Sequence, residues 1–102
     1  MSTIPKTLLI TGASSGIGEA CARWSAARGW RVLATARNPQ DLDSLAQVQG
    51  IRIHDLDVTQ KVSVAALQPW IQDNAPEGLA GLVNNAGIAV PGPLEIDRKS
   101  VV

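Results

Sequence analysis

The chain carries the stretch Thr11-Gly12-Ala13-Ser14-Ser15-Gly16-Ile17-Gly18 between an apolar run, residues 7–10, and a segment of helical length. This order predicts a strand, a glycine-containing turn and a helix. The first backbone N–H groups of a helix have no intrahelical partner, and its dipole presents partial positive charge there, so a diphosphate can be held without a cationic side chain. The stretch therefore predicts a phosphate site, chiefly one for a dinucleotide.

The glycines of this stretch have separate physical roles. We expect Gly12 to adopt a backbone turn that other residues disfavour. At Gly16 and Gly18 the missing Cβ lets a pyrophosphate approach and lets the helix lie against the strand. The candidate binding residues of the stretch are Gly12, Ser14, Ser15, Gly16, Ile17 and Gly18.

Length and charge limit the classes of protein to consider. The 102 residues, 45% of them hydrophobic, suffice for one core, so residues 1–102 are expected to be a single domain or part of one. The 9 basic and 9 acidic residues cancel, which disfavours nucleic-acid and polybasic membrane partners. No apolar stretch approaches the roughly 20 residues of a membrane span, and no leader pattern is visible, so we expect a cytoplasmic protein.

Metal and disulfide chemistry find little support in the sequence. Cys21 is the one cysteine, which excludes an intramolecular disulfide and any multi-cysteine metal site. The sole histidine, His54, is not expected to bind a metal or to catalyse. We therefore expect no metal site.

Short Val-, Ile- and Leu-rich runs alternate with segments of helical length along the chain. The pattern predicts strands at 7–11, 31–36, 51–56 and 79–84 and helices at 16–27, 39–47 and 61–73. Such alternation is typical of a parallel sheet covered on both faces. The predicted fold class is α/β, a Rossmann-like doubly wound parallel sheet.

Helix ends are marked by characteristic residues. Gly29 is suited to the left-handed turn that follows a helix, and Gly50 is expected to end the second helix. Asn38 and Pro39 predict an N-cap and first position for the second helix, with Leu42, Leu45 and Ala46 on one face. In the third helix, the residues spaced to face the sheet are Val64, Leu67 and Ile71.

Three motifs together carry a resemblance to a known family. They are Thr11-Gly12-x-x-x-Gly16-x-Gly18, Asp57-Val58-Thr59 and Asn84-Asn85-Ala86-Gly87. In this order and spacing they resemble the N-terminal half of the short-chain dehydrogenase/reductase family, over nearly the whole chain to about Glu95. Glycine at 12, 16 and 18 resembles the compact oxidoreductase type. The resemblance implies an NAD(P)-dependent oxidoreductase of carbonyl or alcohol substrates.

The end of the second predicted strand bears on the choice of cofactor. It reads Ala36-Arg37-Asn38, with no carboxylate to bind the ribose 2′-hydroxyl of NAD. Arg37 precedes a helix start, where the dipole disfavours a cation, so a bound 2′-phosphate explains its position better. We expect NADP, with Ser14 and Ser15 as further partners of the phosphoribose and NAD as the less favoured cofactor. The plainer interpretation is that Arg37 is a solvated surface residue.

The remaining site residues follow from the resemblance. It implies that the Asp57 carboxylate accepts a hydrogen bond from the adenine amino group and that the Val58 backbone contacts the ring edge. It also implies that the asparagines, Asn84 among them, join neighbouring strands, while Ala86 and Gly87 leave room for the adenosine ribose. The alternative for Asp57 is to cap the third helix, a role for which Thr59 competes.

Catalytic residues are not assigned. The family is known for a tyrosine with a lysine four residues later, a serine and an asparagine, whereas this sequence contains no tyrosine. The resemblance places those groups beyond Val102, so we expect a domain truncated after the fourth strand, with backbone groups and apolar surface exposed along that strand. The alternative is a non-catalytic module that binds nucleotide or pairs with a complementing chain at that edge.

Overall fold

The computed structural model describes residues 6–14 and 16–85. The predictions made for Ser15, Ala86 and Gly87 lie outside the described residues.

The elements alternate between strands and helices, as the sequence predicts. They are β1 (Thr7–Thr11), α1 (Gly16–Ala27), β2 (Arg31–Ala36), a 3₁₀ turn (Pro39–Leu42), α2 (Asp43–Ala46), β3 (Ile51–Asp55), α3 (Lys61–Asn74) and β4 (Gly81–Asn84). The bounds of β1, α1 and β2 are those predicted. The predicted β3 is one residue too long and the predicted α3 one too short. The predicted β4 begins two residues too early, because Leu79 forms only an isolated bridge before the ladder starts at Gly81.

The second helix was predicted wrongly as one continuous helix, whereas Asn38 and Pro39 occupy the N-cap and first positions predicted for them. Asn38 has the extended backbone of a cap residue, but its side chain makes no capping hydrogen bond. The Asp41 N–H instead donates to the Asn38 carbonyl at 3.0 Å, a three-residue spacing that gives a 3₁₀ turn before the single turn of α2. Leu42 and Leu45 are buried as predicted, whereas Ala46 is exposed.

All four strands are parallel, and their order across the sheet is β3-β2-β1-β4. The chain adds β2 and β3 on one side of β1 and then returns to place β4 on the other side. Ligands of open α/β sheets bind at such a reversal, outside the carboxyl ends of the strands. The sheet thus positions the ends of β1 and β4 as the two walls of a candidate crevice.

Helices cover both faces of the sheet. On one face, Ile10 and Val32 join a cluster with Ala22 of α1 and Leu45 of α2. On the other face, the cluster is formed by Leu9, Leu33, Leu56, Leu67, Ile71, Ala75, Leu79 and Leu82. This arrangement confirms the predicted doubly wound α/β fold. Within the described chain, no helix combines the length and hydropathy needed to cross a bilayer.

β4 lies at one edge of the described sheet, next to β1. Our expectation of exposed apolar side chains on β4 is wrong, since Leu82 is buried and Val83 is half-buried. The large exposed apolar side chains of the described residues are elsewhere, at Ile17, Trp24, Val58 and Val62. Pairing of a second chain along β4 stays a prediction.

Leu67→Ala tests whether α3 is held by the sheet. Leu67 is fully buried, so we expect a loss of about 2–5 kcal/mol in the free energy of unfolding, measured by urea denaturation. Val62 lies on the same helix and is 82% exposed. Val62→Ala is the control, with an expected change within about 0.5 kcal/mol. Equal losses in the two variants would contradict the packing of α3.

Candidate functional site

The turn between β1 and α1 is built around a close backbone approach. Gly12 has φ +69°, a left-handed conformation that other residues disfavour. A Cβ added at Gly18 would lie 2.6 Å from the Gly12 carbonyl oxygen and 2.8 Å from the Ala13 Cα. The first turn of α1 therefore rests directly on the backbone of the turn, as the sequence predicts for Gly12 and Gly18.

Gly16 faces open space instead. A Cβ added there would meet nothing within 4 Å. Gly16 is also the first residue of α1, where backbone N–H groups project without intrahelical partners. The space in front of Gly16 and the donors around it fit an anionic group such as a diphosphate, which could approach the backbone closely.

Hydrogen bonds from both neighbouring strands hold the turn in place. On the β2 side, the Ala13 N–H donates to the Thr35 carbonyl at 2.8 Å. On the β4 side, Asn85 Nδ2 donates to the Gly12 carbonyl at 2.9 Å, and Thr11 Oγ1 donates to Asn84 Oδ1 at 2.9 Å. Asn84 and Asn85 thus join neighbouring strands in the way the resemblance implies. A turn fixed from both sides loses little conformational freedom when it binds a ligand.

Asp57 follows β3 and is held by its own loop. Its Oδ1 accepts hydrogen bonds from the Thr59 N–H at 3.0 Å and from Thr59 Oγ1 at 2.6 Å. Its backbone N–H donates to Ser63 Oγ at 2.9 Å. The N-cap of α3 is Gln60, so the alternative in which Asp57 or Thr59 caps this helix is wrong. Asp57 closes a local turn before the helix begins.

Asp57 remains ionised at neutral pH. The side-chain and backbone hydrogen bonds from Thr59 are the main causes that lower the pKa of its carboxyl group; burial opposes them, and the Arg37 charge lowers the pKa by a smaller amount than either. Asp57 Oδ2 lies 3.8 Å from Arg37 Nε, and the Asp57 side chain is 28% exposed against 76% for Arg37. A negative and a positive group thus face each other at the ends of β3 and β2.

Two apolar side chains that adjoin Gly16 and Asp57 in the sequence are exposed. Ile17 follows Gly16 in the first turn of α1 and is 72% exposed. Val58 follows Asp57 and is also exposed. Each gives the surface next to a predicted binding residue an apolar patch against which a flat ring or sugar can pack. Ser14 is exposed next to the turn, as a role toward a ligand requires.

Thr35 and Ser63 support the site and were not predicted. Thr35 acts through its main-chain carbonyl, which any residue carries, so its identity holds no signal. Ser63 lies three residues after the Gln60 cap and six after Asp57. A serine in the first turn of a helix is a detectable signal for a hydrogen bond to the preceding loop.

The remaining chemically notable features include none of the predicted binding residues. His54 stacks on Trp70 with ring centroids 4.6 Å apart. A cavity of about 430 Å³ includes Gly29, Trp30 and Gly50 in its lining, beside the starts of β2 and β3. It contains none of the predicted binding residues. Among residues 6–14 and 16–85, no three His, Cys, Asp or Glu side chains cluster as metal ligands would.

The comparison with protein families agrees with the geometry. The family model described as short chain dehydrogenase matches residues 6–101 of this chain. Retinol dehydrogenase 7 of Rattus norvegicus is 42% identical over 98 residues, which are 92% of this chain and 31% of that protein.

Solved structures show the same likeness. A short-chain dehydrogenase from Streptomyces avermitilis is 33% identical with a TM-score of 0.71, covering 80% of this chain and 31% of its own. The menthone neomenthol reductase of Mentha piperita is 28% identical with a TM-score of 0.69, covering 84% and 33%. The chain spans about a third of the length of these relatives.

Gly18→Ala tests the close approach that forms the turn. The added methyl would overlap backbone atoms of Gly12 and Ala13, so we expect a loss of about 1–3 kcal/mol in the free energy of unfolding by urea. Gly16→Ala is the matched control, because its methyl would enter open space and alanine favours a helix. Its stability should be unchanged or slightly higher. A Gly18 variant as stable as the Gly16 variant would contradict the proposed contact.

Proposed function

The chain belongs to the short-chain dehydrogenase family, and from that premise we propose that its site binds NADP for an oxidoreductase acting on carbonyl or alcohol substrates. Membership of the family supports a dinucleotide cofactor, NAD or NADP. The choice of NADP is inferred from Arg37. The role proposed for the described residues is to bind and orient the cofactor, which supplies the hydride when it is bound.

The glycine turn is the observation that carries the proposal. Its open space at Gly16, the start of α1 and the tethers to β2 and β4 suit the diphosphate of a dinucleotide. The diphosphate would lie against the backbone at Gly12, Gly16, Ile17 and Gly18. Ala86 and Gly87 lie outside the described residues, and their place beside the ribose is proposed on the resemblance alone.

Asp57 and Val58 are proposed to hold the adenine. The Thr59 hydrogen bonds fix the orientation of Asp57, and its ionised carboxylate is an acceptor for the adenine amino group. Val58, exposed next to it, offers apolar contact to the ring. Asn84 is proposed to act by holding β1 and β4 at the right separation around the cofactor.

Arg37 is proposed to choose NADP over NAD. It follows the last residue of β2, at the carboxyl edge of the sheet, and its side chain is 76% exposed. A guanidinium there can donate several hydrogen bonds to a 2′-phosphate, which NAD lacks. Ser14, exposed near the turn, and Ser15 are proposed as further hydrogen-bond partners of the phosphoribose. No proton donor for catalysis is assigned, since the sequence holds no tyrosine.

Arg37→Ala tests the proposed cofactor. We expect the wild-type chain to bind NADPH more tightly than NADH in a calorimetric titration. Because a charged hydrogen-bonding group is lost, the variant should bind NADPH about tenfold more weakly or worse, with NADH binding unchanged.

Arg28→Ala is the control for the loss of one positive charge. Arg28 is an exposed arginine whose guanidinium stacks on Trp24, 3.7 Å from the ring centroid. This variant should bind both nucleotides as the wild type does. Equal affinity of the wild type for NADPH and NADH would contradict the choice of NADP, and failure to bind either would contradict the proposed function as a whole.

A further inference from the structure

Arg37 and Asp57 are brought together by the pairing of β2 with β3. Ala36 lies opposite Asp55 in the parallel ladder, and the Leu56 N–H donates to the Ala36 carbonyl at 2.8 Å. Arg37 follows the first of these strands and Asp57 lies two residues beyond the second. The main chain therefore fixes where both side chains start, and the pair depends on the sheet rather than on a flexible loop.

The two partners differ in how firmly they are held. Asp57 has two hydrogen bonds from Thr59 on Oδ1 and a backbone bond to Ser63. Its other oxygen, Oδ2, is the atom that faces Arg37. Arg37 is 76% exposed at the end of a long side chain. A ligand that binds next to this pair is therefore expected to move the Arg37 side chain and to leave the Asp57 side chain in place.

The separation of the pair leaves the guanidinium available to a ligand. Arg37 Nε and Asp57 Oδ2 are 3.8 Å apart, which is a charge–charge contact and too long for a hydrogen bond. The five N–H donors of an arginine can then bind a phosphate without first breaking a short bond. The carboxylate still attracts the guanidinium, so it opposes the movement of the guanidinium toward that phosphate.

On the basis of the proposed function, we propose that Asp57 is the counter-ion of Arg37 and limits how strongly the site prefers a dinucleotide with a 2′-phosphate. Asp57 acts here as a positioning residue, through Arg37, in addition to any contact with adenine. Removing its charge releases Arg37 toward the phosphate. The preference for NADPH over NADH then rises.

The test is a double-mutant cycle on the full chain with Asp57→Asn and Arg37→Ala, alone and combined. The measured quantity is the ratio of the dissociation constants of NADH and NADPH, obtained by calorimetry. A change in adenine recognition affects both nucleotides alike and cancels in this ratio. For an exposed ion pair we expect Asp57→Asn to raise the ratio about two- to fivefold when Arg37 is present, and to leave it nearly unchanged in the Arg37→Ala background.

Two controls make the result specific. Asp73→Asn removes one negative charge from an exposed residue near the end of α3 and should leave the ratio unchanged. If Asp57→Asn does not unfold cooperatively, Asp57→Ser replaces it. Serine carries no charge, and its hydroxyl oxygen can accept a hydrogen bond from Thr59.

The outcomes separate this inference from the proposed function. A ratio that Asp57→Asn leaves unchanged, or raises equally in both backgrounds, overturns the role of Asp57 as counter-ion while the role of Arg37 stands. A ratio that Arg37→Ala does not lower overturns the proposed choice of NADP itself, and the role of Asp57 with it.

Discussion

The architecture of the site depends on one contact, between the first turn of α1 and the backbone of the turn that precedes it. At Gly18 the helix approaches the Gly12 carbonyl so closely that a methyl group would lie 2.6 Å from the oxygen. This contact aims the start of α1 at the carboxyl edge of the sheet. The dipole of a helix favours anions at that end, so the packing of two glycines determines where a phosphate can bind.

The reversal in strand order supplies the rest of the framework. β1 lies between β2 and β4, and the glycine turn is hydrogen-bonded on both sides, from the Ala13 N–H to Thr35 of β2 and to Gly12 from Asn85, which follows β4. On the β2–β3 side, the same edge of the sheet carries Arg37 and Asp57. The pairing of β2 with β3 therefore sets the positions of these two charged groups. One edge of the sheet thus carries backbone donors, an acceptor and a cation.

Local signals in the sequence were sufficient for the first half of the fold. β1, α1 and β2 were predicted with the right bounds because the glycine turn and Gly29 mark their ends chemically. The second helix was wrong because Asn38 and Pro39 suit a 3₁₀ turn as well as an α-helix. The role of Asp57 was open to two interpretations, because an aspartate side chain can accept a hydrogen bond from a backbone N–H both in a helix cap and in a local turn. The pairing of Arg37 with Asp57 could not be predicted, since it arises from the register of β2 against β3.

An NMR titration of the uniformly ¹⁵N-labelled chain with NADP⁺ tests whether the glycine turn binds the diphosphate. If the glycine turn holds the diphosphate, the backbone amide signals of Gly16, Ile17 and Gly18 should shift most, with those of Asp57 and Val58 shifting alongside. The signals of Gly29 and Gly50, beside the cavity near Trp30, should stay in place. Shifts centred on that cavity, with unchanged signals from the glycine turn, would show that the turn does not bind the diphosphate.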